Sequence, residues 1–483
     1  MYVSIHLHIH QFKVCAFFVC VRERERERER PSHRLCLVRL TITHIEHTHA
    51  YINCKIMMRL ILFLLTITTR SKSISNYLYI NKTKFYFQGQ GPIFLSGANQ
   101  PWIRYGADFG GGVAEGHVCE LFDFYLNQLS EAGGNSIRIW LFTEGKSIPM
   151  FNESGYVVGT DSTNTLIRDL RRYLRLAAEK NVFVTLTLWN GALMTNENEI
   201  GLLKDSCKLQ SFFDHALVPL VQALRNESAL AAWEVMNEPE GSLILTSNAS
   251  QPCFDTETKL KGRGTGWAGK HATMQELLYF HGAHSRVIHE IDPKALVTVG
   301  AWQEFTLSNN ESFGGFNFYK DECMHLAGGG DVLDFYQVHT YANELTGKFS
   351  KYSPMSVHRT FFETNEKPYV IGEFSAEKCK GCTIESLYEH ALKGEYDGAW
   401  DWSMYQRDGN DDAEISERGV RSIKDEVIHV QIPKGDVVRC NCTDNAPSSD
   451  DYNCSQQSLF GKCGESWMKG YCCRTCFGCI GCT

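Results

Sequence analysis

The chain has 483 residues, 43% of them hydrophobic and 22% charged, with a formal net charge of −8. These are globular values, and the length suffices for one large domain with small attachments. The first 57 residues carry nine Lys/Arg against five Glu, so residues 58–483 carry −12; an acidic surface argues against a nucleic-acid partner and suits a neutral polymer.

Residues 1–56 lack the pattern of a folded domain. Arg22 to Arg30 is a strict Arg-Glu alternation of low complexity, of the kind a dinucleotide repeat in untranslated DNA would encode. The expectation is a non-native or disordered extension; a genuine charged leader is the alternative. Met57 and Met58 then precede Arg59 and the apolar run Leu60–Thr68. A basic start, a short apolar core and a Ser-rich sequel predict a secretory signal over 57–75, with translation from Met57 or Met58 and cleavage near Arg70 to Ser75. The run is shorter than the ~20 apolar residues a membrane span needs, so no membrane attachment is expected of the mature chain.

From Tyr77 to Ile432 the pattern is that of a catalytic domain, 77–432. Phe85-Tyr-Phe-Gln-Gly-Gln-Gly-Pro reads as a small hairpin with a Gly turn. Strand-like apolar runs follow at Ile93–Ala98, Ser136–Trp140, Val182–Trp189, Ala231–Met236, Leu296–Ala301, Val332–Val338, Tyr369–Gly372 and Gly398–Trp402. Helical periodicity occupies Cys119–Ala132, Thr165–Glu179, Phe212–Leu224, Met274–Ile291 and Ile384–Leu392. Eight strands alternating with helices predict an α/β fold, a closed (β/α)8 TIM barrel. A doubly wound sheet is the runner-up, but no Gly-rich phosphate turn follows any strand.

Two of these strands end alike. Ala231-Ala-Trp-Glu-Val-Met-Asn-Glu-Pro-Glu240 closes on Glu238, and Lys367-Pro-Tyr-Val-Ile-Gly-Glu-Phe-Ser375 closes on Glu373. Functional side chains of such a barrel sit at the C-terminal strand ends. Two strand-end carboxylates are what glycoside hydrolysis needs, one to protonate the leaving oxygen and one to attack the anomeric carbon. A helix N-cap with a first-turn carboxylate is the structural alternative for Asn-Glu-Pro.

Beyond Pro433 the chain changes character: of 19 cysteines, nine lie in residues 440–482. A segment that small needs staples, so 433–483 reads as a disulfide-rich module made in an oxidising compartment. Zinc is the weaker alternative, with no His after residue 429. Seven sequons, at Asn81, Asn152, Asn226, Asn248, Asn310, Asn441 and Asn453, suit the same extracellular reading. Cys379 and Cys382 read as a loop-tightening disulfide rather than a redox pair.

Six segments taken together carry a resemblance: Ser96-Gly-Ala-Asn-Gln, Asn135-Ser-Ile-Arg-Ile-Trp140, Trp233-Glu-Val-Met-Asn-Glu-Pro-Glu240, His339-Thr-Tyr341, Ile371-Gly-Glu-Phe374 and Ala399-Trp-Asp-Trp-Ser403. Over about residues 77–432 the chain resembles glycoside hydrolase family 5, most of all the endo-β-1,4-mannanases of molluscs and other invertebrates. The resemblance implies Glu238 as acid/base and Glu373 as nucleophile. It implies Arg138, Asn237, His339, Tyr341 and Trp402 as supporting residues, with no metal and no cofactor. Arg138 and Tyr341 would hold Glu373 charged, Asn237 would bond the sugar 2-OH, and Trp402 would form a platform beneath the sugar. A structural ion pair, a turn residue and a core histidine are the alternatives for Arg138, Asn237 and His339. Trp189 and Trp302 are further subsite candidates, with Trp102 and Trp400 behind them. Where many family members carry a His after the third strand, this chain has Asn190. The tail resembles the Cys-rich tails of invertebrate cellulases and mannanases, which are likened to family 10 carbohydrate-binding and sea-anemone-toxin-like modules. The expected activity is a secreted, monomeric, retaining endo-β-1,4-mannanase acting on a β-mannan polysaccharide. An endo-β-1,4-glucanase and a non-catalytic carbohydrate-binding protein are the alternatives.

Overall fold

The computed structural model describes residues 4–9, 12–19, 37–42, 77–111, 117–143, 148–405 and 411–434, with positions 453, 454 and 457. The chain divides into two units, 1–73 and 74–483. In the first, Ser4–Ile9, Phe12–Val19 and Leu37–Ile42 pair as an antiparallel sheet, strands that the low-complexity reading did not anticipate. The Arg-Glu repeat, the signal run at 60–68 and nearly all of the Cys-rich tail lie outside the described residues.

The second unit contains a closed barrel of eight parallel strands. They are β1 (Leu95–Asn99), β2 (Ser136–Phe142), β3 (Phe183–Asn190), β4 (Leu230–Asn237), β5 (Val297–Ala301), β6 (Tyr336–His339), β7 (Tyr369–Glu373) and β8 (Gly398–Asp401). Each pairs with its successor, and β8 pairs with β1 to close the ring. Nearly every strand residue is buried, because the barrel interior covers one face and the helices the other. That is why the strands read as apolar runs without alternation.

The covering helices are α1 (His117–Glu131), α2 (Leu166–Glu179), α3 (Ser206–Leu224, with a π-helical turn at 213–217), α4 (Met274–Ile291), α5 (Asp321–Ala327), α6 (Ile384–Lys393) and α7 (Ala413–Ser422). Between β6 and β7 a 3-10 turn at Arg359–Phe362 takes the place of a helix. In α2 the buried set Leu166, Leu170, Tyr173, Leu174 and Ala177 recurs at helical spacing, the stripe that faces a sheet. α4 starts with a capping box, Thr273 and Glu276 each bonding the other's backbone N–H, worth about 1 kcal/mol.

The N-terminal hairpin pairs Tyr79–Asn81 with Lys84–Tyr86. Its turn therefore falls before Phe85, not at the glycines after Phe87, where the sequence pattern put it. Phe85 and Phe87 are fully buried and pack edge-on against Phe335 and Phe183, next to the N-terminal ends of β6 and β3. This closes the end of the barrel away from the two strand-end glutamates. On the other side, the long β4–α4 connection is tied to α5 by the disulfide Cys253–Cys323. The Cys379–Cys382 disulfide forms in the loop after β7. No helix among the described residues is long and apolar enough to cross a membrane.

Candidate active site

β4 ends at Asn237, and Glu238 follows with a left-handed backbone, φ +49°. A non-glycine residue there carries strain that its surroundings must hold. They do so through its N–H, which donates to Gly300 O of β5 at 2.7 Å, while Pro239 opens a one-turn helix, Pro239–Ser242. Glu238 occupies the N-cap position of that turn, but its side chain makes no capping bond and lies against His339 instead. Glu373 is the last residue of β7 and pairs in register with His339 of β6. The barrel thus brings both carboxylates to one end of the interior, where an oxygen of each lies within 4.8 Å of the other and of His339 Nδ1.

Arg138, fully buried on β2, organises the site. Nε and Nη2 donate to the two oxygens of Glu234, each at 2.6 Å. Nη2 also donates to Asn237 Oδ1 at 2.7 Å, and Nη1 to Asn99 Oδ1 at 2.9 Å and to Glu373 Oε1 at 2.6 Å. All five guanidinium N–H groups are used. The structural ion pair and the functional contact are thus both present in one side chain. Tyr341 Oη donates to Glu373 Oε2 at 2.8 Å, so both nucleophile oxygens are held. His339 Nδ1 lies 2.8 Å from Glu238 Oε1. Asn237 Nδ2 donates to Asn190 Oδ1 at 3.3 Å, so the residue that departs from the family pattern fixes the Asn237 amide.

Burial pushes both carboxyls above the ordinary glutamate range. For Glu238 the neighbouring Glu373 anion adds to burial, and it rises furthest. For Glu373 the bonds from Arg138 and Tyr341 pull the other way. The proton therefore sits on Glu238 and the charge on Glu373, the division that an acid and a nucleophile need. Burial, then Arg138, holds the His339 imidazole neutral.

Trp402 follows β8 and clusters with Trp140 and Trp102, ring centroids 5.4 and 5.9 Å away, with Tyr341 against the group. Trp302 follows β5, is partly exposed, and meets the exposed Trp267 edge-on at 4.7 Å. Trp189 corrects the sequence expectation. It is 1% exposed and packed between Phe142 and Phe212, a core residue rather than a sugar platform; Trp400 is equally buried.

Sequence reasoning gave no role to Asn99, Glu234, Gln337, Glu240 or Asn190. Glu240 accepts bonds from Trp302 N, Thr306 Oγ1 and Tyr319 Oη, each at 2.7 Å, and so anchors the Trp302 loop. The available signal for Glu234 was a charge inside an apolar strand, which burial obliges to find a partner. Glu238, His339 and Glu373 form a three-ligand set that could gather around a cation; His339 Nδ1 already lies 2.8 Å from Glu238 Oε1 and 3.4 Å from Glu373 Oε2.

Residues 123–407 match the family described as Cellulase (glycosyl hydrolase family 5). The chain is 41% identical over 363 residues to a mannan endo-1,4-beta-mannosidase of Mytilus edulis, covering 74% of this chain and 95% of that protein. It is 42% identical over 330 residues to one of Cryptopygus antarcticus, covering 68% and 84%. Among solved structures, the β-1,4-D-mannanase of Cryptopygus antarcticus superposes with TM-score 0.69 at 38% identity, over 74% of this chain and 99% of that one. The β-mannanase of the blue mussel Mytilus edulis does so with TM-score 0.67 at 40% identity, over 74% and 98%.

Proposed function

The chain belongs to glycosyl hydrolase family 5, and from that premise we propose that it is an endo-β-1,4-mannanase working by retaining double displacement. The observation that carries the mechanism is the pair Glu238 and Glu373, with carboxylate oxygens within 4.8 Å of each other. Retaining enzymes hold their carboxyl groups ~5–5.5 Å apart and inverting ones ~6.5–9.5 Å. An oxygen-to-oxygen gap this short favours the retaining arrangement over the inverting one.

In the first step Glu373 attacks the anomeric carbon as Glu238 gives its proton to the glycosidic oxygen. The bond to the leaving sugar breaks and a mannosyl-enzyme ester forms. In the second step the Glu238 carboxylate takes a proton from water, the hydroxide attacks the same carbon, and Glu373 is released. Asn237 is placed by Arg138 and Asn190 to offer its amide to the 2-hydroxyl, and Trp402 to stack on the sugar. The substrate is a β-mannan, glucomannan or galactomannan; both relatives above are named mannan endo-1,4-beta-mannosidase, which favours mannan over cellulose.

The apolar run after Arg59, the seven sequons and the disulfides support secretion. The cysteine density after residue 440 supports a disulfide-stapled tail, for which carbohydrate binding is the role its resemblance implies. Hydrolysis of mannan, glucomannan and carboxymethyl cellulose side by side, with NMR of the first anomer released, tests the proposal. Fastest release from mannan as the β-anomer is expected. Faster turnover of carboxymethyl cellulose would overturn the substrate, and an α-anomer the mechanism.

A further inference from the structure

Within the barrel, adjoining the acid and the nucleophile, lies a second polar group. Gln337 stands on β6 two residues before His339, so both side chains project from the same strand face. Its Nε2 lies 3.0 Å from Glu234 Oε2 and 3.3 Å from His339 Nε2. The space is made by two glycines. A Cβ on Gly372 would come within 2.4 Å of Gln337 Cγ, and one on Gly300 within 2.6 Å of Glu234 Oε1 and 2.9 Å of His339 Nε2. Thr187 Oγ1 also donates to Glu234 Oε2, at 3.1 Å.

The direction of these bonds is forced. Turning the Gln337 amide over would set its oxygen against the Glu234 carboxylate, two acceptors face to face, so Nε2 must face Glu234. Gln337 Oε1 is buried with no hydrogen-bond partner among the described residues and does not decide the orientation. An amide nitrogen has two N–H donors and no acceptor. One N–H goes to Glu234, and the other meets His339 Nε2, which must then be an acceptor. A neutral imidazole that accepts at Nε2 carries its proton at Nδ1. That proton points at Glu238 Oε1, 2.8 Å away.

We propose that Glu234 and Gln337 are positioning residues for the acid. Through one amide they lock His339 as its Nδ1–H tautomer, so that Glu238 Oε1 accepts from His339 and the transferable proton resides on Oε2. The reason a bare buried His339 would not suffice is that its other tautomer offers Nδ1 as an acceptor. Glu238 would then place its proton on Oε1, aimed at the imidazole and away from the glycosidic oxygen. Glu234 thus has two tasks: it pairs Arg138, which holds the nucleophile, and orients Gln337, which sets the acid.

This inference rests on the acid role given to Glu238, but its first test needs no turnover. In protein labelled with 15N-histidine, the neutral His339 resonances report which ring nitrogen bears the proton. The expected result is Nδ1–H in the native enzyme; Nε2–H there would overturn the proposal whatever the enzyme's activity, and suffices to decide it if variants fail to fold. In Gln337→Met, which keeps the shape and loses both N–H groups, His339 Nε2 loses the donor that fixes it as an acceptor, and the Nε2–H tautomer should become populated. Turnover of mannan should then fall about 10- to 100-fold, part of the ~10²–10⁴ that general acid catalysis contributes. The glycosylation step of an aryl mannoside with an activated leaving group should be unchanged. Equal losses on both substrates would mean that Gln337 supports only the packing, and an unshifted tautomer with full mannan turnover would mean that it does neither.

Discussion

Arg138 reaches Glu373 through one short bond, Nη1 to Oε1 at 2.6 Å, and its remaining N–H groups go to Glu234, Asn237 and Asn99. These acceptors come from β1, β4 and β7, so one side chain on β2 spans the interior of the barrel. The nucleophile's charge is therefore compensated by a cation that cannot move without breaking contacts to three other side chains.

Replacing Arg138 should accordingly damage stability and chemistry together. Arg138→Ala leaves Glu234 and Glu373 buried beside each other without a counter-charge, a change that costs about 3–5 kcal/mol for a broken buried pair. Arg138→Lys keeps a charge but has three donors on a point in place of a five-donor fork, so it should recover only part of that loss. Denaturant unfolding and kcat, measured on both variants, check this. A fully stable Arg138→Ala would show that the guanidinium is dispensable to the fold.

The pH dependence follows from the two upward shifts. Glu373 must be ionised, so activity is lost as pH falls through its raised pKa. Glu238 must be protonated, so activity is lost as pH rises through its still higher pKa. Both limbs of kcat/KM should therefore lie above the ordinary glutamate value of ~4.3. Because the Glu373 anion is one cause of the Glu238 shift, Glu373→Gln should lower the Glu238 pKa. Titration of 13C-labelled glutamate in that variant reads it directly, and a pKa that stayed put or rose would contradict the coupling.

The barrel was legible because its strands are buried on both faces and so stand out as apolar runs; six of the eight observed strands begin within one residue of the positions read from sequence. The exceptions have local causes. β6 starts at Tyr336 rather than Val332 because Asp334 turns its carboxylate to the Val297 N–H. α5 went unread because seven residues before a glycine run are too few to show a period, and α7 because its buried set is only Ser416, Gly419 and Val420. The strand-end residues Glu238, Glu373, His339 and Tyr341 converge with Arg138 of β2. Gln337 and Glu234 did not announce themselves, since their roles exist only once β4 and β6 face each other across the interior. Trp189 misled because an aromatic at a strand end reads alike whether it faces the cleft or the α3 helix that covers it.

Deletion of residues 440–483 should leave hydrolysis of soluble mannan unchanged, since every residue of the site precedes Pro433. Retention on insoluble mannan should drop if the tail is a targeting module. Pull-down of both forms with insoluble mannan measures it, and equal retention would assign the tail another task.

A chain started at Met58 should be exported with activity intact, given the apolar run after Arg59. N-terminal sequencing of the secreted protein gives the answer. A mature N-terminus upstream of Met57 would rule out the signal over 57–75.

The assignment of roles to the two carboxylates is tested most sharply by azide. Glu373→Ala removes the group that forms the mannosyl-enzyme, so turnover should be abolished. Added azide can enter from the vacated face and attack once, giving the α-mannosyl azide. Glu238→Ala keeps the nucleophile but loses the proton donor, so mannan turnover should fall by about 10²–10⁴-fold. An aryl mannoside with an activated leaving group should still form the intermediate, because its departure needs no proton. That intermediate then accumulates, since no base activates water. Azide, an anion that needs no base, should resolve it from the other face as the β-mannosyl azide and restore turnover. The two variants must therefore yield opposite anomers. The same anomer from both, or normal mannan hydrolysis by Glu238→Ala, would mean that Glu238 and Glu373 do not divide the work in this way.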